Sequence, residues 1–382
     1  MNHRRHFASI TLFLALCFSP LNGAWAQTPM TVGLMVPATE DNVFWRQLVT
    51  FMEAVAEDLE VELRVEFMKP EADGRLTQSV VQFRLQSQEF INTFDTIDYF
   101  ISYHQDEITR GLLRSVDRKG GKLFLINTAI SPQEREFFDA PRGRFKSWIG
   151  HMYPDEREAG FQLADALLAR AFEVKGSQAR LETVGIGGTL VEGEEVTGAA
   201  AQRNLGLREK VNAEPRAQLK EIVSAGWQPD LARQATSGLL KKYPGLDVIW
   251  SASDAMALAA VEVIEESGKT PNRDLFVGGI DWTEDALQAV AEGRLTASVG
   301  GHFMEGGWAL IVLYDYHHGI DFADELGVQI STRMQVLTQD NVGDYLERFG
   351  SEDWGQVDFK RFSKHLNKDL ENYDFSIENL LQ

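Results

Sequence analysis

From Thr31 onward the apolar positions of the chain fall into two recurring patterns. Thr31 to Val36 is an apolar run of strand length, and Phe44, Leu48, Phe51, Met52, Val55 and Leu59 follow at spacings of three and four, as on one helix face. Val61, Leu63, Val65 and Phe67 then alternate with polar residues, which predicts a half-buried strand. Residues 98–102, 122–127 and 146–150 read as further strands, with helices between the first two and after the third. A second series repeats the rhythm, with strands at 181–187, 217–223, 247–250, 275–280 and 296–299. Helices are expected between them at 197–211, 228–242, 253–267 and 283–292; Ser253 is a cap for the third, whose apolar face is Met256, Ala259, Ala260, Val263 and Ile264. Strand–helix alternation implies parallel sheets covered on both faces, and two series imply two doubly wound α/β lobes.

The ends of the chain depart from this rhythm. Arg4 and Arg5 precede an apolar run from Phe7 to Leu21, and Ala24-Trp25-Ala26 supplies a small-x-small site, so residues 1–26 read as a secretory signal cleaved before Gln27. The run is too short to span a bilayer, which takes about 20 residues. A lipoprotein reading through Cys17 is weaker, because Leu16 stands where a small residue is wanted. Export to the periplasm is the expectation. Residues 346–382 are rich in charge and aromatics, and are expected to pack across the outside of a lobe.

Charge narrows the partners. The formal net charge is −20, and loss of the two signal arginines makes it roughly −22. Such a surface repels phosphate backbones, so nucleic acid is not an expected partner. The single cysteine leaves with the signal, and a chain this long buries a sizeable core without a disulfide.

In open parallel sheets ligands bind beyond the carboxyl ends of the strands. Those ends here carry Asn42 with Phe44 and Trp45, then His104, Asn127, Ser253, Asp281 and His302. Amides, carboxylates and histidines beside large rings suit a polyol: the polar groups take hydroxyls and the rings stack on C–H faces. Phe44 and Trp45 point about 100° apart on a helix, so one of them faces away from the core. Trp227, after Gly226, reads equally as core or pocket; Asp254 reads as a helix-start acid, and His317-His318 as a solvated helix end. Catalysis has little support. Gly185-Ile186-Gly187-Gly188-Thr189 lacks the dinucleotide spacing and the Walker lysine, and His302 with Glu305 matches no metal motif. No enzyme activity, cofactor or metal is expected.

Four segments in order resemble the type I periplasmic binding proteins of the ribose/galactose group, over roughly residues 30–330. They are Val36-Pro37 with Asn42, Phe44 and Trp45; Arg203-Asn204-Leu205-Gly206-Leu207; Ser253-Asp254-Ala255-Met256-Ala257-Leu258-Ala259; and Val277-Gly278-Gly279-Ile280-Asp281. The resemblance implies ligand contacts from Asn42, Phe44 and Trp45 in the first lobe, and from Arg203, Trp227 and Asp281 in the second. It implies hinge crossings near 147–150, 300–302 and 330–334. The first lobe would be 27–147 plus 302–330, and the second 150–300 plus 334–345. It further implies a monomer that captures a sugar or sugar-like ligand and delivers it to the permease of an ABC transporter. A sensing adaptor for a membrane receptor (chemoreceptor, sensor kinase or cyclase) is the alternative. The chain departs from the family where Asn127-Thr128 replaces an Asp-Arg pair, Ser253 an Asn, and Gly301-His302 a Gln.

Overall fold

The computed structural model describes residues 29–69, 80–131, 134–191, 194–195 and 198–380; the signal-like segment 1–26 lies outside them. The first lobe is built in chain order from β1 (Thr31–Val36), α1 (Val43–Asp58), β2 (Glu62–Phe67), α2 (Val80–Asn92), β3 (Tyr99–Tyr103), α3 (Asp106–Arg118), β4 (Lys122–Ile126), α4 (Arg135–Phe138) and β5 (Trp148–Pro154). The second follows with α5 (Glu156–Lys175), β6 (Leu181–Gly187), the two-residue ribbon β7 (Leu190–Val191) and β8 (Glu194–Glu195), α6 (Gly198–Ala213), β9 (Ala217–Ser224), α7 (Pro229–Lys242), β10 (Val248–Ser251), α8 (Asp254–Glu266), β11 (Phe276–Asp281), α9 (Glu284–Ala291) and β12 (Ala297–Gly300). The chain returns to the first lobe through a 3₁₀ turn at His302–Met304, α10 (Glu305–His317) and β13 (Gln329–Thr332). It ends with β14 (Gln335–Thr338), α11 (Val342–Phe349), 3₁₀ turns at Trp354–Gln356 and Phe359–Phe362, and α12 (Ile377–Leu380).

The first sheet has the order β13-β5-β4-β3-β1-β2 and is parallel throughout. The second has the order β14-β12-β11-β10-β6-β9 and is parallel except where β14 runs against β12. In both sheets the strand order reverses beside the first strand of the lobe, which opens a crevice at the carboxyl ends of the strands. The alternation along β1 shows why the sheet is covered twice. Val32, Leu34 and Val36 join the core under α1 and α10, while Met35 joins the cluster under α2 and α3 with Phe100, Leu125 and Trp148.

The strand expected at 146–150 starts and ends later. Gly150 reads as a stop in the sequence, but β5 continues through buried His151 and Met152 to Pro154 and pairs with both β4 and β13. The first crossing therefore falls between Pro154 and Glu156 rather than at 147–150, and residues 148–154 belong to the first lobe. The other crossings fall between Gly300 and His302 and between Thr332 and Gln335. β13 and β14 are too short and mixed in character to stand out by periodicity.

The chain from Val342 onward touches both lobes. Tyr345 of α11 packs on Trp282 at 5.1 Å, and Phe349 stacks on Trp354 at 4.7 Å. Trp354 in turn meets Phe51 and Phe303. Beyond it, Asp58 accepts from the backbone N–H groups of Phe359 and Lys360, and Asp315 accepts from the Ser363 and Tyr373 hydroxyls and the Lys364 and His365 N–H groups. His318, expected to be solvated, stacks on His365 of this segment at 4.1 Å.

Candidate functional site

The second-lobe wall of the cleft centres on Arg203 of α6. A Cβ on Gly160 would lie 2.0 Å from the Arg203 carbonyl oxygen, and one on Gly206 2.0 Å from that of Arg157. The two glycines let α5 and α6 approach closely, and this places Glu156, in the first turn of α5, against the guanidinium. Arg203 donates from Nε to Glu156 Oε2 at 2.5 Å and from Nη2 to Glu156 Oε1 at 3.2 Å. Its Nη1 donates to the Ala252 carbonyl at 2.7 Å and to Asp281 Oδ1 at 3.4 Å, and Nη2 also reaches His302 Nε2 at 3.2 Å. All five N–H donors of the fork are thus directed at protein acceptors.

Arg203 cannot accept, so His302 Nε2 must, and its proton sits on Nδ1, which is buried with no hydrogen-bond partner among the described residues. Burial, and then the Arg203 charge, hold His302 well below the usual imidazole range, so it is neutral. Burial pushes the Asp281 carboxyl well above its usual range. The Asp254 and Glu156 carboxylates push the same way, and Arg203 opposes them. Asp281 ends β11 at φ 140°, with Trp282 at φ 61°, a strained pair at the carboxyl end of the strand. Trp227, also left-handed at φ 62° after Gly226, lies over the Arg203 guanidinium at 5.7 Å and against Gly188.

The first-lobe wall is aromatic. Phe44 stacks on His302 with ring centroids 4.7 Å apart, Trp45 meets Phe44 edge-on at 5.3 Å, and Tyr103 continues the row at 6.1 Å from Trp45. Phe44 and Trp45 are both half-buried, so neither is wholly core nor wholly solvent-facing. Asn42 starts α1, with its carboxamide oxygen accepting from the Trp45 N–H at 3.1 Å.

The remaining predicted residues divide. Asn127, at φ 68°, ends β4 and gives its N–H to Glu305 Oε2 at 3.1 Å, while the Thr128 hydroxyl reaches its side-chain oxygen. Ser253 caps α8 through the Met256 N–H. Asp254 is the helix-start acid expected, tied to the Ser298 hydroxyl and the Thr283 N–H, with burial pushing its carboxyl up to about 6. His104 is not brought to the cleft group. Its Nδ1 pairs with the Thr109 hydroxyl at 3.0 Å and its Nε2 lies 3.3 Å from Glu134, inside the first lobe. Among the described residues no group of three or more His, Cys, Asp or Glu side chains is arranged to hold a metal.

Two acids of the site escape sequence reasoning. Glu156 sits in the run Asp155-Glu156-Arg157-Glu158 and looks like any helix-start acid; only Arg203, distant in the chain, distinguishes it. Glu305 had been set aside with His302 for want of a metal motif. It stands at the second crossing, receives Asn127 from β4 and the Thr332 hydroxyl from the third crossing, and burial pushes its carboxyl up to about 8. The lobes also meet directly. Gln47 of α1 donates to the Trp282 carbonyl at 3.0 Å, and a Cβ on Gly198 would lie 3.5 Å from the Ala129 carbonyl oxygen.

Two sheets joined by three crossings, with an ionic wall facing an aromatic one, define a two-lobed binding protein. The family model described as periplasmic binding protein domain matches residues 32–318, and the chain belongs to that family. The ribose import binding protein of Bacillus subtilis is 31% identical over 118 residues, which is 31% of this chain and 37% of that protein. Its counterpart in Escherichia coli is 30% identical over 187 residues, 48% of this chain and 56% of that protein. The matches thus span about a third to a little over half the length of these curated relatives. A solved periplasmic sugar-binding protein from Pseudomonas fluorescens is 29% identical, with a TM-score of 0.79 over 92% of this chain and all of that one. The binding component of the arabinose ABC transporter from Shewanella sp. ANA-3 reaches a TM-score of 0.68 over 85% of this chain and 96% of that one, at 21% identity, a likeness of fold alone. Among the described residues no helix is long and apolar enough to cross a membrane.

Proposed function

We propose that this chain is an exported sugar-binding protein that holds its ligand in the cleft without transforming it and hands it to the permease of an ABC importer. The observation that carries the reading is the meeting of the two groups at His302, which stacks on Phe44 beside Trp45 and lies against Arg203 and Asp281. A carboxylate of this kind accepts hydroxyls in pairs, and the rings cover a C–H face. The names of the ribose import relatives and of the Pseudomonas fluorescens protein agree in ligand class.

The departure at Asn127-Thr128 shapes the ligand. With Asn127 held through its backbone by Glu305, the first lobe presents amide, hydroxyl and rings instead of an ion pair. The ligand then has one hydroxyl-rich edge, toward Asp281, and one apolar face toward Phe44 and Trp45, while Arg203 holds Asp281 in place. Only a ligand touching both lobes shifts them toward closure, because only it binds the closed form better than the open one. The protein acts as a monomer in the periplasm after cleavage before Gln27.

A thermal-shift screen of the chain without its first 26 residues, against pentoses, hexoses, furanosyl sugars, amino acids and nucleosides, tests the reading. A sugar at 100 times its dissociation constant adds about 2.7 kcal/mol. Stabilisation by amino acids or nucleosides with none by sugars would overturn it, as would turnover of the bound compound.

A further inference from the structure

Away from the cleft, α2 and α3 of the first lobe enclose a groove of about 380 Å³, within the range of small-molecule sites. Four arginines line it, Arg84 from α2 and Arg110, Arg114 and Arg118 from α3, together with Gln88 and a single acid, Glu107. The three arginines of α3 are spaced by four and so share one helix face. Gly111 lies beneath the stripe, where a Cβ would make ordinary contact with the Arg84 stem at 3.4 Å. The buried Ser115 hydroxyl accepts from Arg118 Nη2 at 3.1 Å and holds that guanidinium against the groove. Arg110 is backed by Phe137, with its guanidinium 3.4 Å from the ring centre.

The groove gathers positive charge on an acidic chain. The chain carries 57 acids against 37 bases, and Arg142, Arg157, Arg216, Arg233 and Arg294 each pair with a carboxylate. Arg84 and Arg114 form no ion pair with any described residue. Arg84 and Arg114, on adjoining helices, repel one another, and an anion seated between them relieves that repulsion. Guanidinium forks converging on one cavity match the oxygens of phosphate bidentately.

We propose that the α2–α3 groove is a second ligand site, separate from the cleft, that takes a phosphate-type anion. Free phosphate compounds and phospholipid headgroups share this chemistry. The test uses the chain without its first 26 residues at low ionic strength, titrated calorimetrically with inorganic pyrophosphate. In parallel it is sedimented with phosphatidylglycerol vesicles and with neutral phosphatidylcholine vesicles.

Pyrophosphate is expected to bind one to one, with an affinity that falls as salt is added. The double variant Arg84→Gln/Arg114→Glu should weaken it by roughly tenfold or more, and Arg114→Gln alone by less. Arg64→Gln, a basic position outside the groove, should leave it unchanged, as should Asp281→Ala in the cleft. Binding to phosphatidylglycerol vesicles alone, lost in the double variant, sustains the site with a headgroup as its source. Failure to bind either probe overturns the proposal, and so does equal binding by the double variant with an unchanged melting temperature. Neither result bears on sugar binding in the cleft.

Discussion

On the second-lobe wall of the cleft Arg203 is 3% exposed and each of its donors meets a protein acceptor, whereas Phe44 and Trp45 across from it are half-exposed and meet mostly other rings. The first arrangement is held by directional bonds between α5, α6, β10 and β11. Its partners are all within the protein, which is what preorganisation requires. The second is held by ring contacts worth about 0.5–1.5 kcal/mol each beyond buried area, and it rides on α1 at the edge of its lobe. The difference teaches a division of labour under the proposed function: the ionic wall would select hydroxyls, and the aromatic wall would cover the remaining face.

The largest expected effect breaks the ionic wall. Arg203→Met leaves Glu156 and Asp281 buried without their cation, at a cost of about 3–5 kcal/mol in urea unfolding. A cost below about 1 kcal/mol would mean the wall is not held by this network. Asp281→Ala comes next and sharpens the contrast. It removes a carboxylate that burial disfavours, so the free protein should melt no lower, while ligand-induced stabilisation disappears. An unchanged ligand shift would remove Asp281 from the site.

On the other wall, Phe44→Ala and Trp45→Ala are each expected to weaken ligand binding by about tenfold, near 1.4 kcal/mol, with little change in the stability of the free protein. Loss of stability without loss of affinity would reassign these rings to the core. A separate effect, on stability alone, is that of pH at the hinge. Glu305 is raised from 4.5 to about 8 in the fold, so its contribution is full below pH 4.5 and is lost as pH rises toward 8. Denaturation of Glu305→Gln across pH 5–8 should give a flatter stability profile than the parent chain. His151 works in the opposite sense. It is lowered from 6.5 to about 3, mainly by burial, so its contribution is present above pH 6.5 and lost as pH falls toward 3.

The alternation of strand and helix was legible because both periods are written in consecutive residues, and β1, β6, β9 and α8 lie within a residue or so of their expected bounds. The end of β5 was not, since Gly150 inside a strand looks the same as Gly150 after one. Among site residues, Arg203, Asp281, His302, Phe44 and Trp45 come together in the cleft. A histidine at a strand end looks the same in sequence whether it faces the cleft or, like His104, pairs with Thr109 and Glu134. Glu156 was overlooked for the converse reason. Its role is defined by a partner on another helix, a relation that spacing along one chain does not carry.

The aromatic seam where the C-terminal segment joins both lobes has a mechanical consequence. Tyr345, Phe349 and Trp354 pack on Trp282 and Phe303, on either side of the Gly300–His302 crossing. When one body turns about another, displacement grows with distance from the axis, so atoms beside the pivot move least. A bridge placed there resists sliding and twisting while leaving rotation nearly free, as the pin of a door constrains every motion except the swing.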